Sequence, residues 1–440
     1  MVVARPVQGK HRTIKNRINV VLLILFLVLP FLRFGGNPFV LLDIPGRKFH
    51  VFGLEIWPHE FYFLHLILIM SGLSLFFFTA LLGRIWCGYG CPQTIFMDFY
   101  DWGAKLLVGS EYGKRPLNTS QKIRQYLAFF ILAIFFSFIF LAYFVPYEEI
   151  ASDLMHARFF AGPDTLAPAA WVVFMVMSVG FAVFNAGYFR ENACKLVCPY
   201  GRFQTALLDT HSPIVSYDVK RGEPRREGKQ KLFEHGGDCI DCNMCNLVCP
   251  TGIDIREGLQ VGCIACGLCV DACTNVLSKF EKRTLIDYRT IEQVENPDAH
   301  RKYLRPRTVV YASLLLCFAT AFVYLLVTRI PMYATVLRDR AISALYVPDI
   351  GYQNGYEVHV GNQSRKPIEV KIMVLDKRYE ILAPQDTYKI GAEGFEKIRF
   401  VVRSAQKEEF ARTRPIEFKI VDVNEPTHER VVQTVFSYPI

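Results

Sequence analysis

Two hydrophobic patterns divide the chain. Up to about residue 330, apolar residues run together without alternation, as in Leu75-Phe76-Phe77-Phe78 and Phe135-Phe136-Ser137-Phe138. Such runs cover every side of a helix, which suits lipid rather than one buried stripe. Five are long enough to span a bilayer: residues 18–34, 61–82, 126–145, 169–189 and 309–327. The first contains Pro30 and follows the basic residues Lys10, Arg12, Lys15 and Arg17, as a signal peptide would. What comes next is Leu32-Arg33-Phe34 rather than a small-residue cleavage site, so it reads as an anchor. From about residue 346 the period becomes two. Tyr356, Val358 and Val360 form one set, then Ile368, Val370, Ile372 and Val374, then Ile398, Phe400 and Val402, then Ile416, Phe418 and Ile420. Turn residues such as Gly361-Asn362-Gln363-Ser364 separate these runs, which predict a β-sandwich of about a hundred residues. The tail has no cysteine, so an immunoglobulin-like sandwich here would lack an inter-sheet disulfide.

Charge orients these elements. The formal net charge is +9, yet the basic residues sit beside the apolar spans rather than in a separate patch, which argues against nucleic acid. Arg5, Lys10, Arg12, Lys15 and Arg17 precede the first span, and Arg84, Lys105, Lys114, Arg115, Lys122 and Arg124 follow the second. Arg190, Lys195, Arg301, Lys302, Arg305 and Arg307 flank a long polar insert. The other connections carry only Arg33, Arg47 and Lys48, or Arg158 alone. By the positive-inside rule the N-terminus and the insert are cytoplasmic and the tail is outside. The expected organisation is four transmembrane helices in 1–189, a cytoplasmic insert in 190–307 with a basic stretch at 220–231, a fifth span in 308–330, and a sandwich in 331–440.

The cysteines then supply the chemistry. Twelve of thirteen fall in four tight groups, with Cys317 alone in an apolar run. Such close spacing does not easily close unstrained disulfides, so metal binding in a reducing compartment is expected. Cys239-x2-Cys242-x2-Cys245-x3-Cys249-Pro250 is followed by Cys263-x2-Cys266-x2-Cys269-x3-Cys273. This doubled spacing is that of bacterial two-cluster ferredoxins, in which the fourth cysteine of each motif serves the other cluster. Cys239, Cys242, Cys245 and Cys273 are therefore assigned to one 4Fe–4S cluster, and Cys263, Cys266, Cys269 and Cys249 to the second. Ala265, Gly267 and Ala272 leave room for backbone amides near the sulfurs. A zinc ribbon, the competing interpretation, takes its four cysteines as two pairs. The second motif ends Cys273-Thr274 rather than Cys-Pro, a minor departure because proline is not a ligand.

Two further sites match each other at membrane exits: Cys87-x3-Cys91-Pro92 after the second span and Cys194-x3-Cys198-Pro199 after the fourth. Each proline biases the preceding cysteine away from helical geometry and can open a new helix. The segment after each is amphipathic and aromatic, suited to the membrane surface. Four thiolates leaving the bilayer on one side can converge, and their softness suits Cu(I), zinc or a further iron–sulfur cluster. Two redox-idle pairs are the alternative. Histidine is scarce: His65 inside a span, with His59 near its outer end, supplies no facing pair for haem. Met155, His156 and Met332 are scattered soft residues better read as structural.

This combination resembles the cytochrome c oxidase accessory proteins of the CcoG/FixG/RdxA family. The resemblance rests on the two Cys-x3-Cys-Pro sites, on the run from Cys249-Pro250-Thr251-Gly252 through Glu257-Gly258-Leu259-Gln260 into Cys263, and on Leu337-Arg338-Asp339-Arg340 entering the tail. It covers nearly the whole chain. It implies a multi-domain protein of the bacterial inner membrane: five helical spans, the two-cluster ferredoxin insert and a periplasmic immunoglobulin-like all-β domain. It also implies a cupric reductase that converts Cu(II) to Cu(I) during assembly of a cbb-type oxidase. Its partners would be copper ions, a copper-exporting pump, copper chaperones or oxidase assembly factors, with Cys87, Cys91, Cys194 and Cys198 facing the copper. The alternatives are a membrane electron relay fed by quinol or ferredoxin, and a non-redox assembly scaffold. No flavin or nicotinamide fingerprint names the electron donor.

Overall fold

A computed structural model describes residues 3–44, 46, 48–156, 158–159, 169–226, 233, 236–339, 344–348, 351–404 and 413–438. Arg47, Arg340 and the 227–231 part of the basic stretch lie outside the described residues. The chain forms two compact units, Met1–Phe322 and Val323–Ile440.

The described residues include five helices long and apolar enough to cross a membrane: Lys10–Phe31, Pro58–Leu82, Thr119–Leu141, Ala170–Val197 and Pro306–Val327. Three differ clearly in extent from the hydropathy pattern, each for a local reason; the third starts at Thr119 because the Asn118 side chain caps it, accepting from the Gln121 N–H. The first begins at Lys10, because the buried Asp271 carboxylate accepts from the backbone N–H groups of His11 (3.1 Å) and Arg12 (2.8 Å). An acid there satisfies orphan donors and meets the positive end of the helix dipole, so the polar first turns stay wound. The fourth does not stop at Phe189. It loosens into π-turns at Asn185–Phe189 and Ala193–Val197, with Arg190 at φ 26° between them. Two contacts to the helix Pro92–Val108 hold that distortion. Arg190 donates to both Asp101 oxygens at 2.7 Å, and the Asn185 and Gln93 amides pair at 2.8 and 3.0 Å. π-turns of this kind are one of the recognised causes of sharp helix distortion.

The insert hangs from the end of the second span. The Ala80 carbonyl accepts from Arg305 (2.5 Å) and Ser212 (3.2 Å), and the Leu81 carbonyl accepts from Arg301. Strands Pro213–Tyr217 and Ile286–Thr290 pair antiparallel and close the insert at its base, bringing its entry and exit together. The first connection folds into a three-stranded sheet of Val40–Asp43, Lys48–Val51 and Leu54–Ile56, which no hydrophobic period announced.

The second unit is all-β. One sheet runs Tyr379–Leu382, Phe395–Ser404, Gly351–Asn362, Met332–Arg338, with Leu345–Val347 also on the third strand; the other runs Tyr388–Ile390, Ile368–Val374, Thr413–Asp422, Glu429–Ser437. The alternating sets meet in register: Tyr356 opposite Phe400, Val358 opposite Ile398, Ile372 opposite Ile420. Period-two side chains share a face, so each register puts a whole set into one core. Phe418 packs against Tyr356 and Phe400 with ring centroids 5.2 and 5.6 Å apart, bridging the sheets. Met332 is buried in that core, which removes it as a metal ligand.

Candidate metal centres

All thirteen cysteines are free of disulfides. The two ferredoxin motifs repeat one backbone conformation. Asp241 and Ala265 both sit at φ 50°, and Asn243 and Gly267 at 56° and 72°. Three of these four are not glycine, and left-handed backbone is uncommon outside glycine. Alternating hand along a short loop curls backbone N–H groups into an anion-binding concavity, as at many iron–sulfur sites. Asn243 and Gly267 then start the helices Met244–Leu247 and Leu268–Leu277.

Two cavities lie between these loops. One is lined by Cys239, Cys242, Cys245 and Cys273. The other is lined by Cys249, Cys263, Cys266 and Cys269, and by Cys245 as well. The fourth cysteine of each motif thus lies in the cavity of the other motif. Among the described residues no three His, Cys, Asp or Glu side chains close on a point that would hold a single ion. A tetrahedral zinc with sulfur at about 2.3 Å needs its thiolates about 3.8 Å apart, whereas a cubane takes each thiolate on a different iron. The donor set and the cavities therefore fit 4Fe–4S clusters.

The thiols themselves point the same way. Burial pushes Cys245 up to about 12 and Cys266 up to about 11, and raises Cys263 and Cys269. Metal-free, these groups are neutral at physiological pH, and metal binding must release their protons. Backbone N–H groups of Ala265 and Leu268 reach Cys263 and Cys266, and the Leu285 N–H lies 3.4 Å from the Cys273 sulfur.

The membrane-side thiols reach the second ferredoxin motif through Cys87. Cys91 (φ −70°, ψ 128°) and Cys198 (φ −63°, ψ 111°) are extended, and Pro92 and Pro199 open helices Pro92–Val108 and Pro199–Leu207. Cys87 lies in the short helix Ile85–Tyr89, and Cys194 in the second π-turn of the fourth span. Burial, with the charge of Cys91 next, pushes the Cys87 thiol up to about 12, and Cys194 and Cys198 also bear on it electrostatically. The chain thus brings the four together, although not to single-ion distance. Cys87 packs in one apolar cluster with Cys266 and Cys269. A Cβ at Gly88 would lie 2.7 Å from Cys266 Cα and 2.8 Å from the Ile264 carbonyl oxygen, so the helix rests directly on the ferredoxin loop.

Spacing did not disclose three residues of this region. Arg84 donates from Nη1 to the carbonyls of Val261 (2.5 Å) and Cys263 (3.0 Å) and from Nη2 to Gly201 (3.1 Å). Lys15 is buried, pairs with Asp98 at 2.9 Å, and its charge reaches Cys266. Tyr288 donates to the Ala265 carbonyl at 2.7 Å. The only sequence signal was that Arg84 and Lys15 flank apolar runs, which charge bias already explained. His65 accounts for itself locally, Nδ1 lying 2.7 Å from the Phe61 carbonyl oxygen, and His156 does the same with Ser152 at 2.8 Å.

Known families and proteins match this chain along most of its length. The model of a 4Fe-4S dicluster domain matches residues 189–291, that of a 4Fe-4S binding domain matches 64–109, and that of the IG-like fold at the C-terminal of FixG matches 322–439. Protein RdxA of Cereibacter sphaeroides is 37% identical over 390 residues, covering 84% of this chain and 81% of that protein. Protein RdxB of the same organism is 34% identical, covering 84% and 81%, and nitrogen fixation protein FixG of Rhizobium meliloti is 31% identical, covering 81% and 75%. The two ferredoxin motifs, the paired membrane-side thiols and the β tail therefore occur together because this chain, a multi-pass membrane iron–sulfur protein, belongs to the FixG/RdxA family.

Proposed function

We propose that the protein is a cupric reductase, taking electrons singly into the ferredoxin insert and passing them to Cu(II) at Cys87, Cys91, Cys194 and Cys198. The observation supporting this reading is the close approach of Gly88 to the Cys266 backbone, beside Cys87, which packs with Cys266 and Cys269. Iron–sulfur clusters, when bound, supply one-electron transfer. The eight ferredoxin cysteines hold them with crossed ligation, Cys273 completing the first set and Cys249 the second. Each Cu(II) accepts one electron and becomes Cu(I), the ion that soft thiolates favour. Copper as substrate comes from family resemblance and ligand softness together. Delivery of Cu(I) to a pump, a chaperone or oxidase assembly factors would follow.

We place the N-terminus and all metal-binding thiols in the cytoplasm and the β tail in the periplasm, on the Lys and Arg distribution. A periplasm-dependent reporter fused to the C-terminal end should then be active. A silent fusion there, with a cytoplasm-dependent reporter active at the same point, would overturn the orientation.

A second reading has its own support. The 4Fe-4S binding-domain match over 64–109 contains only Cys87 and Cys91 as cysteines, and the four membrane-side thiols do not close on one ion. In that reading they hold a third cluster and the chain relays electrons to a partner oxidoreductase. Anaerobic protein carrying Cys194→Ser separates the two. For the copper site, iron and sulfide stay at wild-type levels while formation of chelator-trapped Cu(I) by the reduced protein falls. For a third cluster, iron and sulfide drop. If neither changes, the four thiols take no part.

A further inference from the structure

The junction between the ferredoxin loop and the membrane-side thiols turns on one buried cation. Arg84 follows the second span, and only 4% of it is exposed. Its guanidinium bonds Val261 and Cys263, at the entry to the second ferredoxin motif, and Gly201 in the helix that opens after Cys198. One side chain thus ties three segments remote in sequence, and its charge acts on both Cys263 and Cys87. The planar fork sends donors from two separate nitrogens in fixed directions, a spread that the compact, rotating ammonium of lysine does not reproduce.

We propose that Arg84 is the positioning residue for electron passage across this junction: it holds the Cys263 turn against the Gly201 turn, and its fixed positive charge favours the reduced state on either side. The added electron makes either site more negative by one charge, and a cation held in a low-dielectric interior stabilises that charge more than it would in water. The inference rests on the reading that electrons cross between these two groups of thiols.

The test uses the full chain in detergent, without copper, as Arg84→Met and Arg84→Lys. Iron and sulfide content, the midpoint potential of each ferredoxin signal from redox titration followed by electron paramagnetic resonance, and amide exchange over 199–201 and 261–263 are measured. Arg84→Met should lower the midpoint of the signal lost in Cys263→Ser and speed exchange in both segments. Arg84→Lys should return the midpoint towards wild type while exchange stays fast. Unchanged midpoint and exchange in Arg84→Met with full iron content would overturn the proposal. Where Arg84→Met fails to load iron, Arg84→Lys decides: wild-type exchange in that variant overturns the bridge. A shift in Arg84→Met while copper fails to reoxidise the reduced wild-type protein would sink the cupric reading and leave Arg84 in its role.

Discussion

Gly88→Ala tests the contact on which the proposed function rests. An added Cβ would meet Cys266 Cα at 2.7 Å, the Ile264 carbonyl oxygen at 2.8 Å and the Cys266 N at 2.9 Å. All three are backbone atoms of the cluster loop, so no side chain can swing aside. Ordinary contact begins at 3.4 Å, and the helix and the loop must part by about 0.7 Å. Overpacking of this kind costs about 1–3 kcal/mol, against about 1 kcal/mol that alanine gains over glycine within a helix. Gly72→Ala is the control, because it sits in the second span with nothing within 4 Å of the added atom. The difference between the two substitutions isolates the steric term. Gly88→Ala should melt below Gly72→Ala by several degrees in detergent, and its iron–sulfur spectrum should show a perturbed second cluster. Coincident melting and identical spectra would refute the close approach, and with it the passage from the ferredoxin loop to Cys87.

Three further outcomes are expected. Cys249→Ser should disturb the cluster otherwise held by Cys263, Cys266 and Cys269; loss of the one held by Cys239, Cys242 and Cys245 would overturn crossed ligation. A fragment of residues 331–440 should show a β-type circular dichroism spectrum without metal, and Phe418→Ala, which empties a fully buried site, should cost it about 3–5 kcal/mol; helical ellipticity would reject the independent sandwich. In metal-free protein, alkylation of Cys87 should rise with a midpoint near 12 rather than the ordinary 9.0. The sign follows from burial, which favours the neutral thiol: its contribution to folding is complete below pH 9.0 and is lost as pH climbs towards 12. Rapid labelling at pH 8 would contradict the buried setting.

What was legible in the sequence was whatever short-range spacing encodes. The tail's inner strands announced themselves because one parity is apolar and the other polar, and their core residues Val358, Val402 and Ile420 are fully buried. The strand Glu429–Ser437 went unread because both parities are apolar there, with Val432 and Phe436 inward but Val431 and Val435 exposed. The eight ferredoxin cysteines were legible for the same local reason. Their surroundings were not. The left-handed Asp241 and Ala265 leave no mark in composition, and Arg84 reaches Val261 and Cys263 across most of the first unit. The four membrane-side thiols could be expected on one side of the bilayer, but their meeting depends on helix packing that no local spacing records.

That packing also bears on the orientation argument. Four of the basic residues used to orient the spans, Lys15, Arg84, Arg190 and Arg305, are no more than 8% exposed. Each holds a partner: Asp98 for Lys15, backbone carbonyls for Arg84, Asp101 for Arg190 and Asp209 for Arg305. Burying a cation costs several kcal/mol unless it is paired, so these four are fixed by the fold on whichever side their partners lie. They are not independent votes on topology. Setting them aside leaves Lys10, Arg17, Lys105, Lys114, Arg115, Lys122, Arg124 and Lys302 exposed on the cysteine-bearing side, against Arg33 and Arg158 on the other. The imbalance survives. Because those residues are held by exposure and not by packing, they are the ones to exchange in a topology experiment: neutralising Lys114, Arg115, Lys122 and Arg124 together should weaken the orientation, while Arg190→Gln should lower stability and leave the reporter pattern unchanged.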